Sequence, residues 1–131
     1  MTSDVIGDFI NRLKTATAVK KTTVSIPYSN LKKQIALVLK REGYLGEIDE
    51  TKDEVGKMLV VELVYDPDGE ARIHGVKRIS KPGRRLYAPV HDVKPVKNGK
   101  GCLILTTPKG IMTDKDAHKN RVGGETMFTI W

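Results

Sequence analysis

The chain has 131 residues, of which 39% are hydrophobic and only 5% aromatic, and its 23 Lys and Arg outnumber 16 Asp and Glu for a net charge of +7. That length suits one compact domain or two very small ones, with a core that leans on Val, Ile and Leu rather than on rings. No apolar run approaches the ~18 residues of a membrane span, the start MTSDVIGDF carries acid where a secretory signal carries base, and the single Cys102 has no intrachain partner; the expectation is a soluble cytoplasmic protein in a reducing compartment.

Ser3 or Asp4 is placed to cap a first helix, in which Val5, Ile6, Phe9, Ile10 and Leu13 follow at helical spacing and face inward, with Arg12 and Lys14 outside. TTVSIP (22–27) alternates and is rich in β-formers, which predicts a strand closed by Pro27. Ser29 or Asn30 caps a second helix with the stripe Leu31, Ile35, Val38 and Leu39, and Gly43 stands where a C-terminal glycine belongs. A strand YLGEID, a charged turn TKDEVG and a strong strand KMLVVELVYD follow. The order helix, strand, helix, strand, strand implies two helices on one face of a small sheet.

Asp66-Pro67-Asp68-Gly69 has turn composition and is taken as the domain boundary, with an N-terminal α+β domain over 1–66 and a β-rich domain over 67–131. Beyond it ARIHGVKRIS continues as a strand, SKPGRR interrupts it and LYAPV resumes an extended chain. Asn98-Gly99 marks a tight turn, and CLILTT is a buried strand in which Cys102 acts as a small hydrophobe. TDKDAHKNR predicts a short helix capped by Thr113 or Asp114 and stopped by Gly123 and Gly124, before a last strand, ETMFTIW. The fold class is therefore α+β, an N-terminal α-β-α-β-β layer followed by a mostly antiparallel β domain with one short helix.

Charge follows that division. Residues 1–66 hold 10 Lys and Arg against 10 Asp and Glu, while 67–131 hold 13 against 6, so the whole excess lies in the second half. Such asymmetry points to a polyanionic partner, nucleic acid foremost. Catalytic chemistry finds little support. His74, His91 and His118 have no metal-ligand spacing with Cys or with one another, and His91-Asp92 has no nucleophile in a recognisable motif beside it. Gly69 and Gly75 do not complete a phosphate loop, since Val76 follows where Lys is needed. No catalytic residue, metal site or cofactor is assigned.

Two stretches remain. KRISKPGRRLY (77–87) sets Lys81, Arg84 and Arg85 around a Pro-Gly turn with Tyr87 just after. Guanidinium and ammonium groups there would meet phosphates and the tyrosine could stack on an exposed base; the alternative is a solvated turn with Tyr87 packed in the core. In LTTPKGIMTDKDA, Thr106 and Thr107 end a strand, Pro108 stiffens the exit, Lys109 adds charge and Gly110 allows close approach, with a helix start reading next. Such a loop suits the open minor groove or an irregular bulge of RNA; an ordinary strand-to-helix turn reads the same way.

RISKPGRRLY resembles the R-V-S-R-P-G-x-R-x-Y element of the bacterial small-subunit ribosomal protein eight family, LTTPKGIMTDKDA resembles its S-T-S-x-G-x-M-T-D-x-x-A loop, and GGETMFTIW resembles its closing strand. DVIGDFINRLKTA is similar to the family's first helix. The resemblance runs in order through nearly the whole chain. It implies a two-domain α+β structural protein that binds a central-domain hairpin of small-subunit ribosomal RNA, neighbours ribosomal proteins five and twelve, and stands in the small subunit of the cytoplasm, without a membrane. It implies base and sugar contacts from Thr106, Thr107, Pro108, Gly110, Tyr87, Gly124 and Glu125, the last as a brace or acceptor. Backbone contacts are implied from Ser29, Lys32 and Lys33. Pro108 stands where the family has a third hydroxyl. A messenger-RNA repressor acting through an rRNA-like hairpin of its own operon is the alternative.

Overall fold

A computed structural model of the chain describes residues 4–54, 56–93, 96 and 100–131. Ser3 as a helix cap and the Asn98-Gly99 turn lie outside the described residues. The chain packs as two units, Asp8–Ile73 on one side and His74–Trp131 with the chain start through Gly7 on the other.

In the Asp8–Ile73 unit, helix α1 (Val5–Ala18) leads to strand β1 (Thr23–Pro27), helix α2 (Asn30–Arg41), and strands β2 (Leu45–Asp53) and β3 (Gly56–Leu63). The sheet is antiparallel in the order β1-β3-β2. Phe9, Leu13, Ile35, Leu39, Ile26, Leu59 and Val61 are among the unit's buried side chains. Ser29 caps α2, its hydroxyl accepting from Lys32 N at 3.1 Å. Gly43, at φ +88, ends that helix, with Tyr44 N donating back to Leu39 O at 2.9 Å. The stripe of α2 differs from expectation. Leu31 is 38% exposed and Lys32 only 6% exposed, because Lys32, Ile35, Ala36 and Leu39 share the inward face at helical spacing. Its methylene stem lies inside while the ammonium reaches Pro27 O at 3.1 Å. The DPDG turn folds back beside β3, through a Tyr65–Ala71 bridge and a bond from Arg72 N to Val64 O at 2.9 Å.

The second unit contains β4 (Val76–Arg78), β5 (Tyr87–Ala88), a 3-10 turn at Val90–Asp92, β6 (Cys102–Thr107), β7 (Gly110–Thr113), α3 (Asp114–Asn120) and β8 (Gly124–Ile130). Its antiparallel sheet runs β4-β8-β6-β7, with β5 also on β8. Cys102 through Leu105 are all buried, and Val93, Leu103, Leu105, Met112 and Ala117 form one apolar cluster. The expected strand over 71–80 shrinks to Val76–Arg78. Ahead of it, His74 N and Gly75 N both donate to Trp131 O, at 2.6 and 3.0 Å. Gly75 lies under the Trp131 ring, where a Cβ would come within 2.5 Å.

A larger correction concerns 106–114. The threonine loop is the tip of a β6–β7 hairpin, with Thr107 paired to Gly110 and Ile104 to Thr113, rather than a strand-to-helix turn. Gly110, at φ +113, turns the chain back before Thr113 caps α3 by accepting from Asp116 N at 3.3 Å. The helix start therefore lies past the returning strand. Asp114, buried, accepts instead from Leu103 N at 3.1 Å.

Asp4 belongs to this second unit. One carboxylate oxygen accepts from Gly7 N at 3.0 Å and the other from the Arg78 guanidinium. The bond from Arg78 holds the Asp4 carboxyl below its ordinary value of 3.8. A depressed aspartate contributes stability above its unfolded value and loses it as pH falls through the folded one. Asp4→Asn keeps the capping oxygen but not the charge. Its melting temperature should therefore fall less than that of the parent as the pH drops below 3.8, and parallel curves in an acid melting series would show that the pair contributes nothing.

Candidate nucleic-acid interface

Strand β8 organises the site. At its first residues, Tyr87 of β5 stands opposite Glu125 and Ala88 opposite Gly124, while Thr106 of β6 faces Glu125 from the other side and Ile111 of β7 faces Thr106. Directly paired residues point to the same face of a sheet, with Cβ atoms about 5 Å apart. Tyr87, Glu125, Thr106 and Ile111 thus form one cross-strand row: a ring, a carboxylate, a hydroxyl and an aliphatic chain.

Two glycines make that row possible. A Cβ on Gly124 would lie 2.2 Å from Thr106 O, and one on Gly123 2.3 Å from Ala88 O. The absence of side chains lets β8 pass between β5 and β6 at this end. Tyr87 is 70% exposed, which removes the alternative of a core tyrosine and leaves its ring open for stacking. Glu125 is held by Arg85, whose Nη1 donates to Oε2 at 3.1 Å, with the glutamate side chain 14% exposed and the arginine 57%. The carboxylate is a brace, and it offsets part of the Arg85 charge.

The cationic loop joins the same end of β8. Lys81 and Arg84 exchange backbone bonds, N to O at 3.0 and 2.9 Å, which closes the Pro82-Gly83 turn, and residues 81–87 are all exposed. Lys81 and Arg84 on this loop and Lys109 on the hairpin tip make no ion pair among the described residues. The loop's anchor is Ser80, which lies inside KRISKPGRRLY. It is buried, and a hydroxyl within a run of cations was the signal that could have found it.

Neither threonine is buried, and Thr106 makes no side-chain hydrogen bond among the described residues. The Thr107 hydroxyl is held within the hairpin tip. It donates to Gly110 O at 2.8 Å and accepts from Lys109 N at 3.1 Å, leaving one lone pair for a ligand. Thr107→Val keeps the β-branch but strands both partners, and is expected to lower stability by about 1 kcal/mol, read from urea unfolding. An unchanged midpoint would mean that water replaces both bonds without loss. Pro108 and Lys109 are exposed at the tip.

Ser29, Lys32 and Lys33 lie in the other unit. Ser29 is spent as a cap and Lys32 on Pro27, as above. Lys33 pairs with Glu50 at 2.8 Å and Lys57 joins from 3.4 Å. The Lys33 bond, ahead of the Lys57 bond, lowers the Glu50 carboxyl, and the same contact raises the lysine. Lys57 also sits over the Tyr28 ring, 4.1 Å from its centre. Among the described residues the acidic groups close enough to share an ion are Asp66, Asp68 and Glu70, and Arg72 Nε already bonds Asp66 at 3.0 Å. Among the described residues no helix is long and apolar enough to cross a membrane.

A protein-family model described as Ribosomal protein S8 matches residues 4–131. Among curated relatives, the "Small ribosomal subunit protein uS8" of Clostridium beijerinckii is 44% identical over 129 residues, covering 98% of each chain. The protein of the same name from Clostridioides difficile is 42% identical over 129 residues, again with 98% of each covered. That of Chloroflexus aurantiacus is 42% identical over 132 residues at the same coverage.

Proposed function

Because the chain belongs to the ribosomal protein S8 family, we propose that it is a structural, non-catalytic protein of the small ribosomal subunit that grips folded small-subunit ribosomal RNA with the Gly124 end of β8. The observation that carries the reading is the row of Tyr87, Glu125 and Thr106 on one face, with Lys81, Arg84 and Lys109, which make no ion pair among the described residues, on the loops that lead into β5 and out of β6. Charged groups supply affinity and orientation. The exposed Tyr87 ring stacks on an unpaired base, and the Thr106 hydroxyl and hairpin backbone meet base edges or sugar hydroxyls in a shallow groove. Glu125, braced by Arg85, supplies an acceptor rather than a phosphate contact. Lys33 adds a phosphate contact of its own.

The location follows from the same premise: the cytoplasm, in the small subunit, beside other ribosomal proteins. That these neighbours include proteins five and twelve rests on the family resemblance alone. Chemical footprinting of full small-subunit ribosomal RNA with the purified chain tests the proposal. Protection confined to one irregular helix of the central domain is expected. Uniform weak protection along the RNA would reduce the protein to a nonspecific polycation binder, and no protection of it, beside protection of a hairpin in messenger RNA probed in parallel, would make it a regulator.

A further inference from the structure

Building on the proposed RNA grip, we infer that Ser80 is a positioning residue for it: its hydroxyl closes the loop that carries Lys81, Arg84 and Arg85, so that the cations meet RNA already ordered. Ser80 is 5% exposed, although the residues after it, through Tyr87, are all exposed. Its Oγ accepts from Leu86 N at 2.9 Å and donates to Leu86 O at 3.2 Å, so one side chain ties both backbone groups at the far end of the loop. Leu86 O also accepts from Thr126 N at 3.0 Å and from Thr126 Oγ1 at 3.2 Å, which fastens that end to β8. The near end is held by Ile79 N and Ser80 N on Met127 O, at 3.0 and 3.3 Å, and by Arg78 Nε on Ser80 O at 2.7 Å.

Between these anchors the loop has its own Lys81–Arg84 turn and the Arg85 bond to Glu125, and otherwise faces solvent. Without the hydroxyl, Leu86 N–H loses its acceptor and the cations are freed to move. Ordering flexible side chains and loops on binding costs affinity, so the loss falls on RNA binding through the cations that the loop presents.

The test is a double-mutant cycle on the full chain, with an in vitro transcript of the ribosomal central domain as probe at fixed salt. Ser80→Ala is expected to weaken binding about fivefold in the parent and clearly less where Lys81→Ala and Arg84→Ala are already present, with only the partly neutralised Arg85 left on the loop. An equal loss in both backgrounds, which a merely structural role would produce, overturns the inference, as does no loss in either. If Ser80→Ala does not fold, Thr126→Val, which removes the other side-chain donor to Leu86 O, is read in the same cycle with the same expected coupling and the same overturning outcome. Failure of the parent chain to bind the transcript overturns the RNA reading and this inference together, whereas tight parent binding with an additive cycle overturns this inference alone.

Discussion

Gly124→Ala is expected to lower stability by about 3 kcal/mol, the upper range for forcing an extra carbon into packed structure, and to abolish RNA binding even where the variant stays folded. The new Cβ would stand 2.2 Å from Thr106 O and 3.1 Å from Thr107 Cα. Both are backbone atoms of a strand paired on both edges, so no side chain can swing aside. Relief requires β6 to leave β8 at the Thr106–Glu125 pair, which separates the hydroxyl from the carboxylate and moves the hairpin tip. Gly83→Ala is the control, because a Cβ there meets nothing within 4 Å; its stability should match the parent within about 0.5 kcal/mol. Urea unfolding and filter binding of both variants check the pair. A Gly124→Ala chain as stable as the control would show that β6 yields more easily than its two-sided pairing implies.

The second large effect comes from removing Lys81, Arg84 and Lys109 together as alanines. These are exposed and make no ion pair among the described residues, so the fold should hold its melting temperature within a degree or two, as surface changes do. Each phosphate contact steepens the salt dependence by about one unit, and the triple variant should therefore lose about three. Between about 50 and 200 mM salt, the parent should lose about sixtyfold more affinity than the variant. Arg85 is left out because Glu125 already neutralises it in part. A binding series in which parent and variant share one slope would place the phosphates elsewhere.

The element order was legible because its signals are local. Hydroxyl caps at Ser29 and Thr113, the inward α1 positions Phe9, Ile10 and Leu13, the apolar run CLILTT and the Gly43 stop each act within a few residues, and each stands where expected. The two departures have separate causes. Lys32 displaced Leu31 from the core face because a lysine stem counts as apolar once its ammonium finds Pro27 O, and charge hides that in a sequence. The Thr107–Gly110 hairpin reads as a helix lead-in because four residues, Gly110–Thr113, are too few to show a strand period.

The candidate site was legible as residues and not as geometry. That Tyr87, Thr106 and Glu125 matter could be suspected from motif and charge, but their shared row depends on β5 and β6 both pairing with β8 across a long stretch of chain. Ser80 carries no local mark for a related reason, since its partner Leu86 closes a loop and, through it, Thr126 lies in β8.

Read alone, the residues carried the α+β class through short-range periodicity, the concentration of positive charge in the second half through counting, and the family through the resemblance of its motifs. The tertiary structure alone decided which of those charges stay unpaired, which hydroxyls are spent internally and which glycines are needed for backbone contact. The reason is physical: exposure, ion pairing and close approach belong to residues brought together by strand pairing, and no local pattern records which distant strand will lie alongside.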